Sequence, residues 1–569
     1  MRRLAFLLWL ISSPVIAAIH YQVDGGNQPQ RANVEAFLKA QNLSNDNSDE
    51  FIIAHSQQQV SEALEALGYF SSRVQIKVHR SHHDILVDVH IILNQPVRIT
   101  QFDWQLSGQL KDSADFKRLF KKQAPHQGDI FNSGDYDAFK SAVNEYASSH
   151  GYFDGHFTQA KVDVTRAKHA AVIHLHYDSG VRYRIGKIDF SNPEVPTKLL
   201  TGLANFSLGD PYNAQKVASY SQSLNQTGYF RSVLVTPQIG KRKNGQVDLN
   251  VDLRRKSANS FGIGLGYSTD EDVKGKFKWN HPWVNRWGHQ FNASIEASKT
   301  DQTISTEYRI PVTNPVNDYI ALQTGYQREV DNDTDSRSHL ITLLRQWDWD
   351  PQWTPQIFFK TLYEDYRQGT QNNSTLLFMP GFSLSRLRTK GPKADPYWGD
   401  SESLMAEVSS PWWFSDVTLT KIKAHTKWLR SFGRSRIIAR ATGGAIMVNH
   451  ISDVPASMRF FAGGDESIRG YGYKSIAPRD SSGKLIGGKY LVTGSLEYSY
   501  RFADKWRAAV FYDTGTAANN FDEPLYAGAG VGLRWLTPIG PVRLDFAKPL
   551  VKSEGNDHWR IHFSIGSDL

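Results

Sequence analysis

A chain of 569 residues without a single cysteine cannot form a disulfide, run thiol chemistry or ligate zinc through sulfur. Its formal charge of +8 is too mild to specify a nucleic acid, so none is expected as a partner, and its length exceeds one ordinary domain. Beyond residue 18 no apolar run approaches the length of a membrane helix; only barrel strands, which alternate lipid-facing and lumen-facing residues, could cross a bilayer.

Residues 1–17 read as a secretory signal. Arg2 and Arg3 precede the apolar run Leu4–Ile11, and Val15-Ile16-Ala17-Ala18 supplies small residues for cleavage after Ala17 or Ala18.

Three units follow, over 18–96, 97–180 and 181–256. Gly-Tyr-Phe recurs at Gly68, Gly151 and Gly228, with apolar or aromatic residues eight and four positions earlier: Val60 and Leu64, Val143 and Ala147, Tyr220 and Leu224. That spacing is one helical face, and the glycine suits the left-handed turn that stops a helix. Alternating strands come next, such as Val74, Ile76, Val78 and Ile85, Val87, Val89, Ile91. Units two and three also share an opening, Val97-Arg98-Ile99 and Tyr183-Arg184-Ile185. Both carry Gly-Asp-x-aromatic-Asn ahead of the helix, from Gly128 and from Gly209. Each unit is predicted to be a small α/β domain.

Over 257–569 the helical period fades and period-two runs replace it, such as Phe261, Ile263, Leu265, Tyr267 against Gly262, Gly264, Gly266. About sixteen such segments parse, as in an outer-membrane barrel, and the many tryptophans and tyrosines suit its two interfaces. The glycines of the first strand are read as small inward residues that let something pack close to the lumen wall.

One long connection breaks this rhythm. Residues 459–471 place Arg469 among Gly463, Gly464, Gly470 and Tyr471, which suits a loop folded back into a confined lumen. A partly desolvated guanidinium needs a carboxylate, and alternation turns Glu497, Phe511 and Asp513 inward. No catalytic residue is expected: Gly-x-Ser-x-Gly and His-Glu-x-x-His are both missing, and the stretch Gly483 to Lys489 puts Tyr490 where a phosphate loop needs a small hydroxyl. No metal or other cofactor is expected either; His174 and His176 share a strand face but read as polar surface.

The repeats resemble POTRA domains, and the arginine loop with Phe511-Tyr512-Asp513-Thr514-Gly515 resembles the signature of the Omp85 superfamily. Three repeats are similar to the translocation and assembly module (TamA) branch, rather than the two usual in two-partner secretion. The resemblance implies α+β POTRA repeats in the periplasm of a Gram-negative bacterium, followed by an all-β sixteen-stranded barrel in its outer membrane. It also implies that Asp513 holds Arg469. The implied function is insertion of β-barrel proteins and autotransporters without covalent chemistry. Implied partners are client outer-membrane proteins, outer-membrane lipid and a TamB-like inner-membrane-anchored protein reached through the POTRA domains, with a role in phospholipid transport. A two-partner-secretion pore is the alternative. The barrel must close where the first strand (Phe261, Ile263, Gly264, Leu265) meets the last (Phe563, Ile565, Gly566). Gly566 is expected to kink that last strand inward and leave a weakly paired lateral seam.

Overall fold

Each Gly-Tyr-Phe glycine adopts a positive φ, +88° at Gly68, +87° at Gly151 and +74° at Gly228, and each ends a helix whose apolar face is buried. The computed structural model describes residues 19–565 apart from 42, 45, 82, 83, 192, 194, 348, 351, 393, 539 and 553–557; the signal segment and Gly566 lie outside the described residues. Two compact units emerge, one mainly of residues up to 189 and one mainly of residues from 251 onward, with the third repeat divided between them.

The first repeat is β1 (Ile19–Asp24), α1 (Gln28–Lys39), α2 (Asp49–Ala66), β2 (Arg73–Arg80) and β3 (Ile85–Ile92). The second is β4 (Arg98–Ser107), α3 (Ala114–Gln123), α4 (Ser133–Ser149), β5 (His156–Thr165) and β6 (Ala170–Asp178). The third is β7 (Arg184–Ser191), α5 (Thr197–Thr201), α6 (Ala214–Gln226), β8 (Phe230–Pro237) and β9 (Gln246–Arg255). All three sheets have the same order, β1-β3-β2, β4-β6-β5 and β7-β9-β8, so the strand that opens each repeat pairs with the one that closes it. The opening strand of the first repeat and the first helix of each repeat escape the sequence reading. α5 is only five residues long, and α1 buries just Gln30, Val34 and Leu38, too sparse a stripe to register as a period.

The Gly-Tyr-Phe motif recurs because it does the same work each time. Val97 N–H donates to Gly68 O and Tyr183 N–H to Gly151 O, both at 2.8 Å, so each helix stop receives the first residues of the next repeat. Phe70 packs on Phe131 and Phe153 on Tyr212, the aromatics of the Gly-Asp-x-aromatic-Asn segments. At the third copy Tyr229 O accepts from Lys256 N–H at 2.9 Å and from Trp283 Nε1–H at 2.8 Å, which seats that helix end on the strands that follow.

Those strands are β10 (Ser260–Ser268), β11 (Asp272–His281), β12 (Gln290–Ala297), β13 (Asp301–Asn314), β14 (Asp318–Asp331), β15 (Thr334–Gln346), β16 (Trp353–Gln368) and β17 (Gln371–Lys390). They continue as β18 (Trp398–Ser409), β19 (Leu419–Phe432), β20 (Ser435–Met447), β21 (Tyr490–Ala503), β22 (Trp506–Ala518), β23 (Tyr526–Thr537), β24 (Gly540–Pro549) and β25 (Arg560–Ile565). They form one sixteen-stranded sheet in chain order, antiparallel throughout and curled into a nearly closed barrel. Alternation sorts the wall as expected: Leu496, Tyr498, Val510 and Tyr512 face outward, Glu497, Phe511 and Asp513 inward. No ladder joins β10 to β25 among the described residues.

Candidate functional site

Residues 448–489, between β20 and β21, fold back into the barrel. Phe460, Ala462, Ile468, Tyr471 and Ile476 pack against Leu377, Met379, Ile446 and Leu491 of the wall in one apolar cluster. The loop is backbone-shaped for close approach. Gly463, Gly464 and Gly470 have φ of +101°, +103° and +97°, and a Cβ on Gly463 would meet Gly472 O at 2.4 Å. Tyr471 is fully buried, and its hydroxyl donates to Ala527 O at 3.0 Å.

Arg469 ends at the wall of β21, β22 and β24. Its Nε and Nη2 donate to the two oxygens of Asp513 at 2.8 and 3.0 Å, a bidentate pair, and its backbone N–H donates to Asp513 as well, at 3.0 Å. Nη1 donates to Glu497 at 2.9 Å and to Asp545 at 3.1 Å. The guanidinium carbon lies 3.4 Å from the ring centre of Phe511, which sits directly across the β21–β22 ladder from Glu497. Two members of this cluster escaped the sequence reading. Asp545 on β24 supplies a third carboxylate, and Arg534 on β23 bridges Glu497 (2.8 Å) and Asp545 (2.6 Å). Both could have been found, since each is a lone charge at an inward position between apolar residues, Leu533-Arg534-Trp535 and Leu544-Asp545-Phe546.

The close-packing wall is not the one expected. Gly262, Gly264 and Gly266 of β10 have no neighbour nearer than 3.8 Å to an added Cβ, so nothing leans on them. β23 has that role: a Cβ on Gly528 would stand 1.9 Å from Arg469 O, one on Gly530 2.5 Å from the Phe511 ring, and one on Gly532 1.8 Å from Asp545. Gly528→Ala is therefore expected to push the loop off the wall and to cost about 1–3 kcal/mol as overpacking, whereas Gly264→Ala should stay within about 0.5 kcal/mol of the parent. Limited proteolysis of the loop beside thermal unfolding tests this, and equal behaviour of the two variants would refute it.

At the seam, Phe261, Ile263 and Leu265 project outward, the last two 83% and 84% exposed. The described hydrogen bonds across it lie at the outer end of β10: Thr269 N–H donates to Phe563 O and Phe563 N–H to Thr269 Oγ1, both at 3.2 Å. Tyr267 packs on Phe563 with ring centres 5.7 Å apart. Ile565 is the last described residue and faces outward. The lumen below the loop holds a cavity of about 650 Å³, lined by Lys278, Glu307, Arg309, Lys360 and Glu407 among others. In the second repeat, His174 and His176 both hydrogen-bond Asp103, at 3.2 and 2.9 Å. These bonds, His176 foremost, hold its carboxyl at about 2.

Comparison with known proteins places this geometry. Residues 254–569 match the Omp85 superfamily domain, residues 20–93 the POTRA domain described as TamA domain 1, and residues 183–256 the surface antigen variable number repeat. The outer membrane protein assembly factor BamA of Nitratidesulfovibrio vulgaris is 26% identical over 390 residues, covering 63% of this chain and 48% of that one. BamA of Neisseria meningitidis is 20% identical over 431 residues, covering 63% and 53%. The chain thus spans about half the length of these relatives. BamA from Haemophilus ducreyi lacking POTRA domains 1–3 superposes with a TM-score of 0.67 at 17% identity, over 83% of this chain and 99% of that one, which shows a shared fold. With the Omp85 domain matched over more than half its length, and an arginine loop held inside a sixteen-stranded barrel behind POTRA repeats, the chain belongs to the Omp85 superfamily.

Proposed function

We propose that this protein inserts β-barrel proteins, autotransporters among them, into the outer membrane in the manner of TamA, by pairing client strands with β10. The observation that carries the reading is the edge of β10: it pairs with β11 on one side and, among the described residues, has no ladder to β25 on the other. An unpaired strand edge in hydrocarbon is costly, so a client strand that adds there satisfies both partners. β10 is also short, nine residues against twenty in β17. Its nine residues make about 30 Å of strand or roughly 21–24 Å of height at the tilt of such barrels, just short of their roughly 25 Å apolar band, which favours a thinned bilayer beside the seam. The same thinning supports a part in phospholipid transport.

The POTRA sheets offer a second kind of edge. β1 and β2 flank the first sheet, β4 and β5 the second, and each can accept a strand from an inner-membrane-anchored partner such as TamB or from a client in transit.

Photoreactive residues at Ile263 and Leu265 on β10, with Leu343 on β15 as an equally outward control, test the reading in cells. Client barrel proteins should crosslink at the first two and not at the third. Equal crosslinking at all three, or none on β10, would overturn it.

A further inference from the structure

Thr269, Asp270, Asp465 and His562 come from three parts of the barrel: the turn between β10 and β11, the lumenal loop, and the last strand. They form one hydrogen-bond chain. Gly470 N–H donates to His562 Nε2 at 2.9 Å, which leaves the imidazole proton on Nδ1, and Nδ1 donates to the Asp465 carboxylate. Asp465 then reaches the first hairpin: its backbone N–H donates to Asp270 at 2.7 Å, and its carboxylate accepts from the Thr269 hydroxyl at 3.2 Å. Thr269 closes the circuit through its two bonds with Phe563. The His562 side chain is 3% exposed, so its own two bonds are made away from bulk water, while Thr269 stands exposed at the rim.

The ligating atoms of Asp270, Asp465 and His562 converge closely enough to raise the question of a cation. The histidine answers it. Its Nε2 lone pair is engaged by Gly470 and its Nδ1 carries the proton, so neither nitrogen offers a lone pair to a metal while the loop is seated.

We propose instead that this chain of bonds is a clasp by which the lumenal loop holds both margins of the seam, so that β10 and β25 separate only when Asp465 releases His562 or the Thr269–Asp270 turn. The inference rests on the reading of the seam as the working site, but it concerns the seam of the resting protein and can be tested with no client present. Three observations support it. Among the described residues the seam has no ladder, and apart from the Tyr267–Phe563 packing its contacts run through Thr269. Gly464, at φ +103°, passes so near Asp270 that an added Cβ would lie 2.5 Å from its carboxylate, so the loop is shaped for this contact. And Asp465 lies four residues before Arg469, which fixes the loop to β21, β22 and β24 and gives the clasp a rigid base.

The clasp also reads pH. Burial, and after it the Asp465 charge, pushes the Asp270 carboxyl up to about 7; the charged groups facing it are Asp465, His562 and Glu271. A group raised in the seated state favours that state when protonated. The Asp270 contribution to the hold is therefore present below about 7 and is lost as pH rises through it, while protonation of His562 would take away the lone pair that accepts from Gly470.

The test uses the purified full-length protein in lipid nanodiscs, with spin labels on cysteines replacing Leu265 and Ile561, which no native cysteine confounds. His562→Ala and Asp465→Asn should each broaden the distance distribution across the seam and speed hydrogen exchange of the Phe563 amide by about tenfold or more, as expected for losing a hydrogen bond to a charged group. The parent should broaden between pH 6 and pH 8, and Asp270→Asn should stay narrow at both. A seam unchanged in both His562→Ala and Asp465→Asn would overturn the clasp, and so would a pH response that survives Asp270→Asn. Should the buried variants fail to fold, Thr269→Val in the outer turn removes the relay alone, and an undisturbed seam in that variant refutes the proposal equally. Failure of client crosslinking on β10 with these results intact would remove the insertion reading and leave the clasp standing.

Discussion

Arg469→Ala is expected to release the lumenal loop, destabilise the barrel by about 3–5 kcal/mol and abolish the proposed insertion activity. The magnitude is that of breaking a buried ion pair, and much of it comes from the charges left behind. Here Glu497 and Asp545 would be left with Arg534, and Asp513 would lose the ion pair it makes with Arg469. Asp513→Ala should cost less, because Arg469 keeps Glu497 and Asp545, although its backbone N–H loses an acceptor. The double variant should lose less than the sum of the two, since each single change already breaks the shared bidentate pair. A thermal-unfolding cycle with loop proteolysis decides the matter. Additive losses would mean that the Arg469–Asp513 contact contributes no coupling energy, and equal losses in the two single variants would mean that Glu497 and Asp545 are passive.

The other large effect is at the seam. Cysteines replacing Tyr267 and Phe563, whose rings pack together in the parent, should form a disulfide on oxidation, hold β10 to β25 and abolish client insertion while the barrel stays folded. Reduction should restore activity, which separates the lock from the substitutions themselves. The absence of native cysteine leaves no other thiol to compete. Full activity with the lock demonstrably formed would refute lateral gating and favour a fixed pore for a secreted partner.

The parts of this molecule legible in its sequence are those set by local rules. Gly68, Gly151 and Gly228 had to be glycine because the chain turns left-handed there, and the residues four and eight positions earlier had to be apolar because they face a core. Glu497 and Asp513 were legible as partners of Arg469 because alternation assigns each a face. What local rules do not contain is which stretch of wall meets the loop. Gly262-Ile263-Gly264-Leu265-Gly266 and Gly528-Ala529-Gly530-Val531-Gly532 are the same pattern, and only the curvature of a nearly closed barrel brings the second beneath Arg469 and leaves the first open. Asp545 and Arg534 went unread for the same reason, since their place beside Glu497 depends on how β21 to β24 bend around the lumen.

The three inward glycines of β23 have a further consequence, for what reaches the wall's interior. Three inward positions without side chains leave room that is filled from two sides: the Phe511 ring and the Asp545 carboxylate lie over Gly530 and Gly532, and the seated loop rests Arg469 O against Gly528. A loop that lifts away would uncover the Gly528 end of that strip and let water reach the Asp513, Glu497 and Asp545 carboxylates behind it, so the hold on Arg469 also keeps this stretch of wall dry. On the proposed insertion reading, the side wall would meet clients while the centre stays filled, and one arginine would serve both the loop and the seam it steadies.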